Sequence, residues 1–181
     1  MQSLPNAFSP FLQWPQFILY KLVPSKKKPG KLDKLPVAPF DRTHDEDGIN
    51  SQNRYWWVDI NTAINQSNAL GAEYGVAFAI TKDDPFFLLD IDHCANPDGT
   101  WSALAQELLG RLSGACVEVS QSGTGLHILG CTHPLDHGCK NENLKIELYT
   151  HGRFVALTGN QVGGNLLTDC CLLYTSPSPR D

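Results

Sequence analysis

Apolar residues occur along this chain in short runs, and polar stretches rich in Gly, Pro, Asn and Asp separate them. Runs of this kind are typical of strands joined by turns. The strands predicted from this pattern lie at residues 16–22, 75–81, 86–92, 115–120, 126–129 and, on the two sides of a turn, within 145–159. We expect the strand at 75–81 to pair with the strand at 86–92.

Two helices are predicted between these strands. Residues 58–68 form a modest helix with an apolar face. A second helix is expected to begin at a cap formed by Thr100 or Ser102 and to run to about Ser113. Its leucines recur every four residues on one face, which indicates core packing and not a cofactor site. These leucines are Leu104, Leu108 and Leu112.

The composition is that of an ordinary soluble globular protein. The chain has 181 residues, of which 41% are hydrophobic and 18% are charged. No apolar run approaches the ~20 residues that a membrane helix requires, and the N-terminal residues lack the pattern of a secretory signal. Six cysteines without paired spacing indicate reduced thiols. We therefore expect a cytoplasmic protein with no membrane partner. The length predicts one domain, or one domain and a fragment, and we place the domain at residues 1–170.

Two carboxylates stand at the end of the most apolar run. The residues at 86–89 lead directly into Asp90 and Asp92, which one isoleucine separates. Because side chains alternate along a strand, both aspartates are expected on one face, about 7 Å apart. They repel each other unless a cation lies between them, which favours a divalent metal ion. The alternative is a strand that ends in a solvated turn, where Asp is common.

Small residues and a histidine form the second informative stretch, at residues 120–129. Glycines and serines allow backbone N–H groups to converge on an anion, and a histidine on the next strand can donate to a phosphate oxygen. The residues concerned are Ser120, Ser122, Gly123, Gly125 and His127. A Gly-rich turn followed by a core histidine is the alternative. A P-loop is excluded because no Gly-Lys-Ser/Thr follows.

The third stretch places Glu147 on a strand and Arg153 just beyond a turn. Glu147 lies between apolar residues that face the other way, so it is expected to project from the same surface as Asp90 and Asp92. A solvent-facing glutamate and an ordinary surface arginine are the alternatives.

Two other polar stretches leave alternatives open. Lysines cluster at residues 25–34, either as a solvated loop or as a contact for phosphate groups. The net charge of −5 argues against general binding of polyanions, but a local basic strip can still hold a phosphate backbone. Farther along, four possible zinc ligands occur in an unusual spacing, so a surface loop is preferred over a zinc site. These are Cys131, His133, His137 and Cys139.

Taken in order, three motifs resemble those of the archaeo-eukaryotic primase superfamily, and in particular its phage- and plasmid-type primase-polymerases. The motifs are FFLLDID, SGTGLHI and IELY, and the resemblance covers residues 13–164. Two departures stand out: Gln121 replaces a usual proline, and residues 37–39 replace a usual Tyr-Asn-Pro. Neither departure removes a proposed metal ligand, so they affect only the expected contacts with nucleotide and template.

The resemblance implies a mixed α/β (α+β) fold in which an RRM-like antiparallel sheet carries the carboxylates and is joined to an N-terminal α/β unit. Asp90, Asp92 and Glu147 are expected to hold one or two Mg²⁺ or Mn²⁺ ions, since these hard cations prefer carboxylate oxygens. His127 is expected to contact the phosphates of the incoming nucleotide. The cradle around them is completed by Ser120, Ser122, Gly123 and Gly125, with Arg153 and Lys34 as weaker candidates for triphosphate or template contact.

The implied activity is template-directed addition of nucleotides by a DNA primase or polymerase in phage or plasmid replication. The implied partners are a single-stranded DNA template, a primer, and nucleoside or deoxynucleoside triphosphates, with a helicase or a helical domain following in the chain. The implied location is the cytoplasm of the host cell. Two alternatives remain: a metal-dependent nuclease, which uses similar ligands, and a nucleic-acid-binding module without activity.

The residues at 171–181, CLLYTSPSPRD, have no periodicity. They resemble the in-frame translation of a sequencing adaptor, which implies that the natural protein continues beyond about residue 170. A Ser/Pro-rich tail without regular structure is the alternative.

Overall fold

The computed structural model describes residues 1–133 and 139–170. In chain order its strands are β1 (Phe17–Pro24), β2 (Leu32–Val37), β3 (Tyr74–Ile80), β4 (Phe86–Ile91), β5 (Cys116–Val119), β6 (Leu126–Cys131), β7 (Lys140–Asn141), β8 (Ile146–Tyr149) and β9 (Arg153–Leu157). Its α-helices are α1 (Ile60–Leu70) and α2 (Ala103–Arg111), and short 3-10 helices occur at Asn6–Gln13 and Arg54–Trp56.

The chain forms two compact units. The first comprises Met1–Thr81 and Gly152–Gly159, and the second comprises the described residues within 82–151 and 160–170. Each unit contains one sheet in which all neighbouring strands are antiparallel. The structure is therefore mixed α/β with antiparallel sheets, consistent with the α+β prediction. Neither α-helix in the described part of the chain has the length and apolar character needed to cross a membrane.

The first unit is built on a four-stranded sheet in the order β2-β1-β3-β9. Aromatic side chains fill its core because the first 3-10 helix places Phe11 against Phe17 and Phe78, with ring centroids 5.4 and 4.6 Å away. Helix α1 begins where the carboxylate of Asp59 accepts a hydrogen bond from the N–H of Thr62, an arrangement that satisfies a free helical donor.

The second unit is built on a five-stranded sheet in the order β5-β6-β4-β8-β7. One face of the central strand β4 is apolar, and its side chains pack in a buried cluster with residues of α2 and β6. The members on these three elements are Phe87, Leu89, Ile91, Ala105, Leu126 and Ile128. Because side chains alternate along a strand, Asp90 projects from the opposite face of β4.

Most of the predicted elements are confirmed, with shifts at their ends. The helix predicted at 58–68 runs from Ile60 to Leu70, and Ser102 caps α2 by accepting from the N–H of Ala105. In the predicted leucine stripe, Leu112 is buried and Leu108 packs against the core. Ala105 is the helix's fully buried residue, and Leu104 is only half-buried.

The predicted pairing of the strand at 75–81 with the aspartate strand is wrong. Strand β3 pairs with β1 and β9, whereas β4 pairs with β6 and β8. Each is a central strand that is flanked on both sides, so both sequences are apolar. An apolar run indicates burial but does not specify the neighbouring strand. Strands β8 and β9, which follow each other in the chain, likewise belong to different sheets.

Candidate active site

A row of ionisable side chains crosses the five-stranded sheet. The strand register places Asp90 of β4 opposite Glu147 of β8 on one side and His127 of β6 on the other. Glu118 of β5 is opposite His127, and Lys140 of β7 is opposite Glu147. Directly opposed residues of antiparallel strands project from the same face, about 5 Å apart. The prediction that Glu147 shares the face of Asp90 is therefore confirmed, and each strand contributes one member of the row.

His127 lies between two carboxylates. Its Nδ1 is 2.8 Å from Oε1 of Glu118, and its Nε2 is 3.9 Å from Oδ1 of Asp90. Glu118 is 0% exposed and His127 is 3% exposed. The two groups form a hydrogen bond in which the Nδ1–H of His127 is the donor when the carboxylate of Glu118 is ionised. This hydrogen bond fixes the orientation of the imidazole ring and leaves Nε2 directed toward Asp90.

Glu118 did not emerge from the sequence as a site residue. It lies within the predicted strand at 115–120, between Val117 and Val119. A glutamate between two valines on a strand faces away from them, and its face is shared with Ser120. That alternation was the signal that could have identified it. What remained unknown from the sequence was the register that pairs Glu118 with His127.

Glu147 has a partner for each of its carboxylate oxygens. The ammonium group of Lys140 forms an ion pair with Oε1, and the hydroxyl of Tyr149 donates to Oε2. The positive charge of Lys140 offsets part of the repulsion between Glu147 and Asp90, which are opposed in the sheet. The carboxylate is half-buried, so both interactions also hold it in place.

Asp92 lies beyond the end of β4, in the turn that follows Ile91. Its side chain is exposed, and its backbone N–H donates to the carbonyl oxygen of Lys145 at 3.0 Å. Strand alternation therefore does not determine where the Asp92 carboxylate points. In residues 1–133 and 139–170 no three His, Cys, Asp or Glu side chains are grouped closely enough to hold a metal ion. The metal site remains a prediction.

The second motif forms a tight turn that is closed by its own hydrogen bonds. Ser120 and Gly125 bond each other, from Ser120 N to Gly125 O at 2.9 Å and from Gly125 N to Ser120 Oγ at 3.2 Å. The N–H of Gly123 donates to the carbonyl oxygen of Ser120. The N–H groups of Gly123 and Gly125, which were expected to face an anion, therefore form hydrogen bonds within the turn. Ser122 and Thr124 present exposed hydroxyls there, whose oxygens are 3.0 Å apart.

The first and second motifs are hydrogen-bonded to each other. The carbonyl oxygen of Thr124 accepts from the N–H groups of Cys94 and Ala95, at 2.8 and 3.0 Å. Gly125 packs so closely against β4 that a Cβ atom there would lie 2.8 Å from the carbonyl oxygen of Ile91. A glycine is therefore required at this position by space, and the Ser/Gly turn is held beside the end of the aspartate strand.

Two cysteines near the row remain protonated. Burial, with a contribution from the charge of Glu118, raises the pKa of the Cys116 thiol to about 12. Burial also raises the pKa of Cys94, and the charges of Asp90 and Asp92 act in the same direction. Because the thiolate is the nucleophile and the metal ligand, neither side chain is suited to these roles at neutral pH.

The remaining predicted site residues lie outside the row. Arg153 begins β9 and Lys34 is on β2, so both belong to the first unit. Among the residues considered for zinc, His137 lies outside the described residues, the thiol of Cys131 donates to the carbonyl oxygen of Leu166 at 3.5 Å, and Cys139 is exposed. The residues at 171–181 also lie outside the described part of the chain. The roles predicted for Arg153 and Lys34 remain predictions.

Comparison with known proteins identifies a phage relative of this chain. No family model matches the chain. The chain is similar to a protein named "DNA Primase-polymerase" from Nitratiruptor phage NrS-1, with 32% identity over 113 residues. The match covers 60% of this chain but only 16% of the relative's length. It supports a relationship to a phage primase-polymerase.

Proposed function

We propose that this chain carries the catalytic region of a phage or plasmid DNA primase-polymerase, a nucleotidyltransferase that acts in the host cell. The observation that carries the proposal is the register of β4, which sets Asp90 between Glu147 and His127 on one face of the sheet. The similarity to a phage primase-polymerase supports the same activity. Single-stranded DNA, a primer and nucleoside triphosphates are the proposed substrates.

The donor set of the site fits a hard divalent cation. Asp90 and Glu147 are adjacent carboxylates, and Asp92 supplies a third, exposed one after the strand. Carboxylate oxygens are the ligands that Mg²⁺ and Mn²⁺ prefer. When bound, such ions lower the pKa of the primer 3′-hydroxyl and neutralise the leaving pyrophosphate. For the carboxylate of Glu147 to take part, it must exchange its contact with Lys140 for the cation.

The chain's own residues bind and orient the nucleotide in this proposal. The 3′-oxygen attacks the α-phosphorus, the bond from that phosphorus to pyrophosphate breaks, pyrophosphate leaves, and the hydroxyl proton passes to water. In its doubly protonated form His127 donates through Nε2 to a phosphate oxygen while its Nδ1–H donates to Glu118, which holds the ring in the orientation for that bond. The hydroxyls of Ser122 and Thr124 are exposed donors for other phosphate oxygens. Arg153 and Lys34 are proposed to contact the triphosphate or the template.

Primer extension by an Asp90→Asn variant tests the proposal. With Mn²⁺ or Mg²⁺ and a primed single-stranded template, we expect a loss of more than about 100-fold, since a carboxylate ligand is worth several kcal/mol at such a site. The matched control is Asp47→Asn, an exposed aspartate of the first unit, which should extend primers at the wild-type rate.

Undiminished extension by Asp90→Asn would refute the assignment. The same assay without nucleoside triphosphates examines the alternative reaction, because two-metal hydrolysis and polymerisation use similar ligands. Cleavage of labelled DNA under those conditions, lost in Asp90→Asn, would identify a nuclease instead. Absence of both reactions in the wild-type chain would favour a module that only binds nucleic acid.

A further inference from the structure

The positive charge of this chain is concentrated in one short segment. Five of its 14 Lys and Arg residues fall within residues 26–34, although the whole chain has a net charge of −5. Four of the five lysines lie in the connection between β1 and β2, residues 25–31, which we name the lysine turn. The fifth, Lys34, is on β2 itself. The rest of the chain is strongly acidic, so this segment is the outstanding basic feature of the sequence.

The lysine turn has a defined backbone. Ser25 organises it, because its Oγ accepts from the N–H groups of Lys27 and Lys28 at 3.3 and 3.2 Å. The N–H of Ser25 donates to Lys31 O at 2.9 Å, and the N–H of Lys31 donates to Lys28 O at 3.1 Å. Gly30 adopts a φ of 79°, which closes the turn. The segment therefore presents its lysines from a held backbone.

The lysine side chains contribute nothing visible to the fold. Lys26, Lys27, Lys28 and Lys31 are all exposed. Within the described part of the chain no carboxylate forms an ion pair with any of them. Like charges at this density repel one another, and a polyanion relieves that repulsion when it binds. The arrangement suits an external anionic partner.

We infer that the lysine turn binds the phosphate backbone of single-stranded DNA without regard to sequence, an inference that rests on the proposed function. Four mobile ammonium groups act as point charges and match several successive phosphates better than one compact triphosphate. The turn contains no Arg, Asn or Gln that could read base edges. Contacts of this kind hold a strand on the protein and carry no sequence information.

The salt dependence of DNA binding tests the inference. Anisotropy of a fluorescent single-stranded oligonucleotide is measured without divalent cations or nucleotides, for the full chain and for Lys27→Gln/Lys28→Gln. Each lysine that neutralises a phosphate adds about 0.7 to the slope of log affinity against log salt. The double variant should therefore lower the magnitude of this slope by about 1.4. When the salt concentration rises fourfold, the loss of DNA affinity should be about sevenfold smaller for the variant than for the wild type.

The matched control removes two exposed cations of the second unit, Lys82→Gln/Arg111→Gln, and should leave the slope unchanged. An unchanged slope in the lysine-turn variant, or equal reductions in both variants, would overturn the inference. Binding to phosphatidylglycerol vesicles is measured in parallel. Loss of vesicle binding in the lysine-turn variant with no change in the DNA slope would overturn it in favour of a membrane surface.

Failure of the inference and failure of the proposed function are distinguishable. Primer extension by the same preparations reports the function, and the binding assay does not require catalysis. If primer extension depends on Asp90 and the lysine-turn variant has an unaltered slope, the proposed role of the lysine turn is refuted and the polymerase function is retained. If the lysine-turn variant has a reduced slope but the wild-type chain extends no primer, DNA binding by the lysine turn is supported and the polymerase function is refuted.

Discussion

The central strands of the two sheets have similar apolar sequences, but the residues paired across them differ in polarity. In the first unit, Phe78 of β3 lies between Val155 and Phe17, and its neighbouring pairs are also apolar. In the second unit, Asp90 of β4 lies between Glu147 and His127. One sheet is thus apolar across its centre, and the other carries a row of charges there. We expect from this difference that the first sheet contributes mainly stability, whereas the second loses some stability through the ionisable residues of the proposed site.

The row has a physical cost that the apolar sheet does not have. A buried carboxylate or imidazole loses its hydration, and only good hydrogen bonds offset that loss. Glu118 and His127 meet this condition through their 2.8 Å contact, and Glu147 meets it through Lys140 and Tyr149. Such a row is expected where chemistry requires it, since an apolar row would pack at least as well.

The largest expected effect on stability is in the apolar sheet. Phe78→Ala removes a ring that packs on Phe11 and Phe17, so the free energy of unfolding should fall by about 4 kcal/mol. Phe40→Ala is the control, because this ring is 54% exposed and its loss should cost under about 1 kcal/mol. Chemical denaturation measures both. Equal costs would contradict the view that the first sheet is organised around its aromatic core.

Removal of Glu118 should affect both stability and activity. Glu118→Ala leaves His127 buried without its Nδ1 acceptor and opens a cavity, so we expect a loss of about 3 kcal/mol in unfolding free energy. Extension should fall in kcat by about 10- to 100-fold, with KM for DNA unchanged, because Glu118 positions His127. Glu118→Gln retains an acceptor oxygen and should recover most of the stability. A merely structural role would leave kcat of the folded variant unchanged.

A methyl group at position 125 should disturb the contact between the two motifs. In Gly125→Ala the Cβ would meet Ile91 O at 2.8 Å and Ser120 Oγ at 2.9 Å, so overpacking should cost about 2 kcal/mol. Gly110→Ala is the matched control, since nothing lies within 4 Å of its Cβ position. That change within α2 should instead stabilise the protein by about 0.5–1 kcal/mol. The melting temperatures of both variants, measured by thermal denaturation, test this prediction.

The last effect is absent at neutral pH and concerns alkaline stability alone. The Cys116 thiol has a folded pKa of about 12, above its ordinary value of 9.0, so the unfolded state loses this proton first as the pH rises. Stability from this group is complete below pH 9 and falls by about 1.4 kcal/mol per pH unit above it. Cys116→Ala should flatten the fall in unfolding free energy between about pH 9 and 11. The same slope in wild type and variant would contradict this assignment.

Local patterns in the sequence were sufficient to find seven of the nine strands in the described part of the chain, all but β2 and β7, and to single out the candidate ligands. Three local patterns each indicated a strand and a polar side chain on it. They are the apolar run before Asp90, the Gly-rich turn before His127 and the alternation around Glu147. These features depend on the two-residue period of a strand, which is a property of neighbouring residues. The same two-residue period was expected to place Asp92 on the face of Asp90. Strand β4 ends at Ile91, so the period does not extend to Asp92.

Pairing between strands was beyond the sequence. The error about β3 and β4 arose because both runs are apolar, and burial alone does not select a partner. Glu118 and Lys140 were missed as members of the row for the same reason: each is an ordinary charged residue until the register sets it opposite His127 or Glu147.

The sequence by itself determined most of the strands and which of their faces are polar, but not β2 and β7. Only the tertiary structure decided that one ionisable residue from each of five strands would stand in a single row, and that the two similar apolar strands would lie in separate sheets. The physical reason is that side-chain alternation is set within a strand. Register, in contrast, is set by packing and hydrogen bonding among segments that are distant in the chain.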